Sequence, residues 1–178
     1  MRSLIRSLVP FLLVFVFASC DNTRKKLPGT MLPTASQPNY YYTLYIPYSW
    51  KEIDTTLQDL RVRIVAPPNE LAADNPLVNV VVADMGGKEI DEFTTSNIEN
   101  LKNSMPDVVI EERGIIQAGD IEGRWFAYTK MSNGIKRESV SYIIPWNNFA
   151  YFITGATNPG TMAKYRPVFD SIVRSFKI

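Results

Sequence analysis

The side chains with most chemical reach are three acid pairs, an arginine set among aromatic rings, and one cysteine. Asp91-Glu92 and Glu111-Glu112 are adjacent, and Asp120 and Glu122 lie around a turn. Carboxylates so placed could serve acid–base chemistry or hold calcium. The spacing favours neither. Adjacent acids on a strand point to opposite faces, and no Asp-x-Asp-x-Asp-Gly run occurs. Helix-start and solvated-surface roles account for all of them. The glycines Gly114, Gly119 and Gly123 precede no Lys-Ser/Thr, so no phosphate-binding loop is present, and no Ser-x-x-Lys occurs. The chain has no histidine and a single cysteine, Cys20. That removes Ser-His-Asp triads, Cys-His dyads, histidine-ligated zinc and disulfide frameworks. The expectation is a protein that binds without catalysing, with no metal and no cofactor.

Two groups of residues suit binding. Along one late strand Glu122, Arg124, Phe126, Tyr128 and Lys130 alternate onto a single face. Arg124 is the preferred polar contact there, because a guanidinium pairs with carboxylate or phosphate through two parallel bonds and stacks on rings such as Phe126 or Tyr128. The competing reading is a solvated strand face with Arg124 held by Glu122. The second group is Tyr40, Tyr41, Tyr42, Tyr45, Tyr48 and Trp50. Core and edge packing is one use for these rings, and a stacking surface for glycan, lipid or a partner is the other.

Cys20 takes its meaning from what precedes it. Arg2 and Arg6 form a short basic region, Leu8 to Phe17 an apolar run broken only by Pro10, and Ala18-Ser19 bring small residues before the cysteine. This is the order of an export signal, and its apolar run is well short of the roughly 20 residues that cross a bilayer as a helix. Phe17-Ala18-Ser19-Cys20 resembles the bacterial lipoprotein lipobox, with Phe17 where Leu is commoner. The resemblance implies that Cys20 receives a diacylglyceryl group and becomes the first mature residue. The alternative is an ordinary signal peptide cut nearby, leaving a free thiol. Residues 21–38 contain three prolines and almost no periodic apolar pattern, which reads as a tether.

The elements that must position these residues begin near Tyr40. Tyr40 to Ile46, Leu60 to Ala66 and Leu77 to Met85 are β-branched and aromatic runs, each stopped by proline or glycine. From Ile90 to Met105 apolar residues recur at helical spacing, with Asp91 and Glu92 in the first turn and Pro106 beyond the end. Strands over Val108 to Gln117, Ile121 to Met131, Ile135 to Trp146 and Phe149 to Thr157 follow, and their short links predict antiparallel neighbours. A closing helix is expected over residues 159–175, capped by Asn158, opened by Pro159, and kinked or broken near Arg166 by Pro167. Ile143-Ile144 and Ala150 to Ile153 are apolar on both faces, so the sheet should be covered on each side.

This order, with Thr43 to Trp50 near the start, Ile90-Asp91-Glu92-Phe93 opening the helix, Glu122-Gly123-Arg124 in a late strand and Phe169 to Phe176 at the close, resembles the PsbP-like domain of the PsbP and DcrB type. The resemblance covers about Tyr40 to Ile178. It implies an α+β fold, a largely antiparallel central sheet with helices on both faces (an α/β/α sandwich), used for docking or assembly without a shared active site. Photosystem-type metal binding does not carry over, since no ligand motif matches. The expected organisation is therefore a lipoprotein signal peptide over 1–19, lipidated Cys20 and tether over 20–38, and one domain over 39–178.

Charge agrees with that reading. Nineteen Lys+Arg against 18 Asp+Glu give a formal net charge of +1, which provides no field for nucleic acid. The expected function is a membrane-anchored extracytoplasmic lipoprotein, held through acyl chains on Cys20 and binding another envelope component. The alternative is a module for a small apolar or glycan ligand.

Overall fold

The computed structural model describes residues 42–57, 60–67, 76–132 and 134–178. The segments read as export signal and tether, with Cys20, Tyr40 and Tyr41, lie outside the described residues. Seven strands and two helices follow in the order β1 (Lys51–Leu57), β2 (Leu60–Ala66), β3 (Leu77–Asp84), α1 (Ile90–Ser104), β4 (Val109–Ala118), β5 (Ile121–Ser132), β6 (Ile135–Trp146), β7 (Phe149–Thr157) and α2 (Met162–Arg174). The strands form one sheet in the order β1-β2-β3-β7-β6-β5-β4, and each neighbouring pair is antiparallel.

The connection from β3 to β4 sets the architecture. β4 lies at the far edge, so the chain must pass β7, β6 and β5 before it meanders back to β3, and by the first turn of α1 it has already reached β5. A helix of 15 residues is about 22 Å long at 1.5 Å per residue. The steps along β5 from Arg124 to Met131 cover about 23 Å at about 3.3 Å per residue. The helix length matches that stretch of β5, because Asp91 in the first turn of α1 bonds Arg124 and Asp107 just beyond its end accepts from the Met131 N–H. The return is made of tight hairpins, and Asn147 and Asn148 adopt the positive φ values (46° and 64°) that a two-residue hairpin turn demands.

Alternate residues of the central strands divide between two buried clusters. Val78, Val80, Tyr142, Ile144, Tyr151 and Ile153 pack with Phe169, Ile172, Val173 and Phe176 at the C-terminal helix and its end. Val81, Ile143, Ala150 and Phe152 pack with Phe93 and Ile98 of α1. Strands β6 and β7 are buried almost throughout, which is why their sequences are apolar at successive positions.

Three expectations need correction. The aromatic run ending at Ile46 is extended where described, but it is not a sheet strand. Thr43 alone forms a bridge, pairing with Lys177. Tyr42, Leu44 and Ile46 pack inward against the cluster of the C-terminal helix, so the two-residue period reflects a strap over that cluster. The edge strand is instead the charged segment Lys51–Leu57, whose polarity suits an exposed edge. Second, α2 starts at Met162, not Pro159. Gly160 has φ +76°, and the Glu138 carboxylate on β6 accepts the N–H groups of Gly160 (2.8 Å) and Met162 (3.0 Å). Asn158 instead accepts from Arg137 (2.5 Å). Third, α2 does not break into two pieces near Arg166, since a single helix runs through Pro167. The proline removes a single backbone donor, and the packed face of the helix outweighs that loss.

Candidate functional site

The β5 face expected to carry a groove divides into three zones. At one end the Arg124 guanidinium holds both oxygens of Asp91, at the start of α1, with Nε–Oδ1 at 2.6 Å and Nη2–Oδ2 at 3.2 Å. Nη1 adds Glu122 Oε1 at 2.7 Å and the Gly123 carbonyl at 3.2 Å. This charge-assisted fork pins the first turn of α1 to β5. Hydrogen bonding from Arg124 holds the Asp91 carboxyl below its ordinary value, and the two carboxylates hold Arg124 charged far above any accessible pH.

In the middle zone, Phe126 and Tyr128 lie inside. Both are buried beneath α1, with ring centroids 5.6 Å apart. With Asn97, Leu101, Met105 and Phe152 they line a cavity of about 30 Å³, space for a single water. Burial raises the Tyr128 phenol above its ordinary value, against hydrogen bonding with Ser141 and Ser139. The expected open groove joining Arg124, Phe126 and Tyr128 is therefore not formed. The rings serve the core, and the guanidinium serves the helix.

The third zone is a buried cation pair. Lys130 faces Arg137 directly across β5 and β6, and both side chains are 4% exposed. Burial brings the Lys130 ammonium down to about 8; Asp107 opposes that shift and Arg137 adds to it. Alternation placed Lys130 on this face. Its neighbour across the strands was not legible before pairing and register were known.

Two further arrangements escaped the sequence. On the face of α2, Tyr142 donates to Asp170 at 2.5 Å, and Arg166 both bonds Asp170 (3.0 Å) and lies 4.1 Å from the Trp125 ring centroid. Burial and then Asp170 raise the Tyr142 phenol far above its ordinary value. The cluster fastens α2 to β5 and β6. Beside the β6–β7 hairpin lies an open concavity of about 400 Å³, lined by Met85, Lys88, Glu89, Ile90, Trp146 and Asn147 among others. Trp146 there is 41% exposed. Of the N-terminal aromatics, Tyr42 packs on Tyr151 and Phe176, while Tyr45 is 66% exposed and Tyr48 fully so.

No family model and no curated protein matches the chain. Solved structures do. Cyanobacterial PsbP (CyanoP) from Synechocystis sp. PCC 6803 aligns with TM-score 0.56 at 9% identity, over 82% of this chain and 99% of that one. The fold is PsbP-like. LpqN of Mycobacterium tuberculosis aligns with TM-score 0.60 at 12% identity, over 76% of this chain and 82% of its own. PA94 from Pseudomonas aeruginosa gives 0.58 at 17% identity, over 76% and 95%. At these identities the likeness concerns the PsbP-like fold alone.

Proposed function

We propose that this chain is a bacterial lipoprotein, exported by residues 1–19, acylated at Cys20 and tethered by residues 20–38 to an extracytoplasmic membrane surface. There its domain, residues 39–178, binds another envelope component without catalysis. The observation that carries the reading is the order of basic, apolar and small residues ending at Cys20. The fold adds support through the way it uses its reactive side chains: Arg124 is engaged by Asp91 and Glu122, and the Tyr142 hydroxyl by Asp170. LpqN, which has a similar fold, is described as involved in cell envelope biogenesis. The two buried clusters support a three-layer arrangement, with α1 on one face of the sheet and α2 on the other. Two or more acyl chains anchor stably where one binds marginally. The test is mass spectrometry of protein extracted from native membranes. An acylated cysteine at the mature N-terminus is expected, and unmodified, fully soluble protein overturns the anchor.

A second reading, a small-molecule module, is favoured by one observation. The concavity beside the β6–β7 hairpin falls within the roughly 300 to 1,000 Å³ typical of ligand sites.

A further inference from the structure

We infer that the concavity between the β6–β7 hairpin and the start of α1 is a binding site for an uncharged sugar ring, stacked on Trp146. The inference rests on the binding-module reading and gives it a ligand class and a place.

The walls are joined by hydrogen bonds. Asn148 holds the two sides together: its Nδ2 donates to Asp84 Oδ1 (2.8 Å), its Oδ1 accepts from the Gly87 N–H (2.8 Å), and its carbonyl accepts from the Met85 N–H (2.7 Å). Asp84 also accepts from the Gly86 N–H at 2.7 Å. The hairpin tip is thereby cross-linked to the β3–α1 turn, and little ordering remains to oppose binding.

The lining is amphipathic in a particular way. Met85, Ile90 and Pro145 supply apolar surface, and the Trp146 indole is 41% exposed on a strand end. Single exposed apolar residues are ordinary, but a tryptophan inside a preformed concavity offers a flat, electron-rich face. Around it stand Asn147, Lys88 and Glu89. The Asn147 amide takes no part in the Asn148 network, and Glu89, at the N-cap of α1, makes no side-chain capping bond. An amide both donates and accepts, and a carboxylate accepts two neighbouring O–H groups. Lys88 and Glu89 cancel in charge, so the site does not select an ion. A ring with apolar C–H faces and a rim of hydroxyls satisfies these walls together. A fatty chain leaves the polar rim unpaired, and a phosphate or carboxylate finds only one cation, already bonded to Ser96 (3.0 Å) and beside Glu92 (3.6 Å).

The full chain, purified in detergent, is titrated separately with maltose, cellobiose and N,N′-diacetylchitobiose, and with octanol as the apolar comparison. Calorimetry and indole fluorescence report binding. At least one sugar should saturate with a dissociation constant near or below about 1 mM. Trp146→Ala should weaken it at least tenfold, and Trp146→Phe less. Asn147→Gly removes the amide while keeping the positive φ, and should weaken binding several-fold at unchanged Tm. Silence of all three sugars up to about 10 mM, saturation by octanol alone, or sugar binding unchanged in Trp146→Ala each overturns the inference. Octanol binding with silent sugars would leave the binding-module reading standing. Chemical turnover of a bound sugar would overturn that reading while leaving the site in place.

Discussion

Lys130 illustrates how one residue's surroundings become a property of the whole protein. Its ammonium falls from the ordinary 10.5 to about 8 on folding, chiefly through burial. Between those values the unfolded chain binds the extra proton, so stability should rise with pH from about 8 toward 10.5. Below pH 8 the cost of the buried charge is present in full. Tyr128 and Tyr142 act in the opposite sense, because their raised phenols make the unfolded chain the readier acid above about pH 10. Denaturant midpoints should therefore climb from pH 8 to pH 10 and then turn over. Lys130→Met should flatten the climb, and an unchanged slope in that variant would locate its origin elsewhere. Arg124 calls for a different measurement. Arg124→Ala and Asp91→Asn should each lower the midpoint slightly, and the double variant should lose less than both together, with the coupling shrinking in high salt. Additive losses would mean that the fork does not hold α1 to β5.

At the scale of elements, the seating of α2 on β7 turns on one glycine. A Cβ at Gly155 would lie within 2.7 Å of three ring atoms of Phe169, which is 1% exposed. Phe169→Ala should cost about 3 to 5 kcal/mol. Gly155→Ala should also destabilise strongly, by forcing the helix off the sheet. In the double variant the space left by the ring accepts the new methyl, so the combined loss should fall well short of the sum. Thermal unfolding of the four proteins tests this, and simple additivity would show that the two residues do not meet. The glycine was readable in the sequence as an interruption of an apolar strand. Its purpose was not, because the clash is with a residue 14 positions later.

On the whole-molecule scale, the proposed membrane attachment and the folded domain should be separable. Cys20→Ala should release the protein from membranes without changing the domain's thermal midpoint, since both buried clusters of the domain are built from residues between Tyr42 and Phe176. Fractionation with a parallel melting curve checks both halves. No helix among the described residues is long and apolar enough to cross a membrane. Retention of Cys20→Ala in the membrane fraction would point to another attachment.

Periodicity alone determined much of this protein. The helix at Ile90–Ser104, six of the seven strands and the antiparallel pairing of β4 through β7 follow from spacing, turn residues and short links, all set by neighbours along the chain. The pairing of β3 with β7 joins distant segments. The exclusion of histidine chemistry and of disulfides within the chain follows from composition. Decisions that depend on residues far apart in sequence were left to tertiary structure. The segment from Tyr42 to Ile46 became a strap because Thr43 meets Lys177, and α2 began late because Glu138 reaches the N–H groups at its start. Arg124, Phe126 and Tyr128 share a strand face, as alternation predicts. α1, however, lies along that face, buries the two rings and engages the guanidinium through Asp91. The concavity beside Trp146 exists only because a hairpin tip meets a turn about 60 residues earlier. Local periodicity encodes which face a side chain takes, and only packing decides what covers that face.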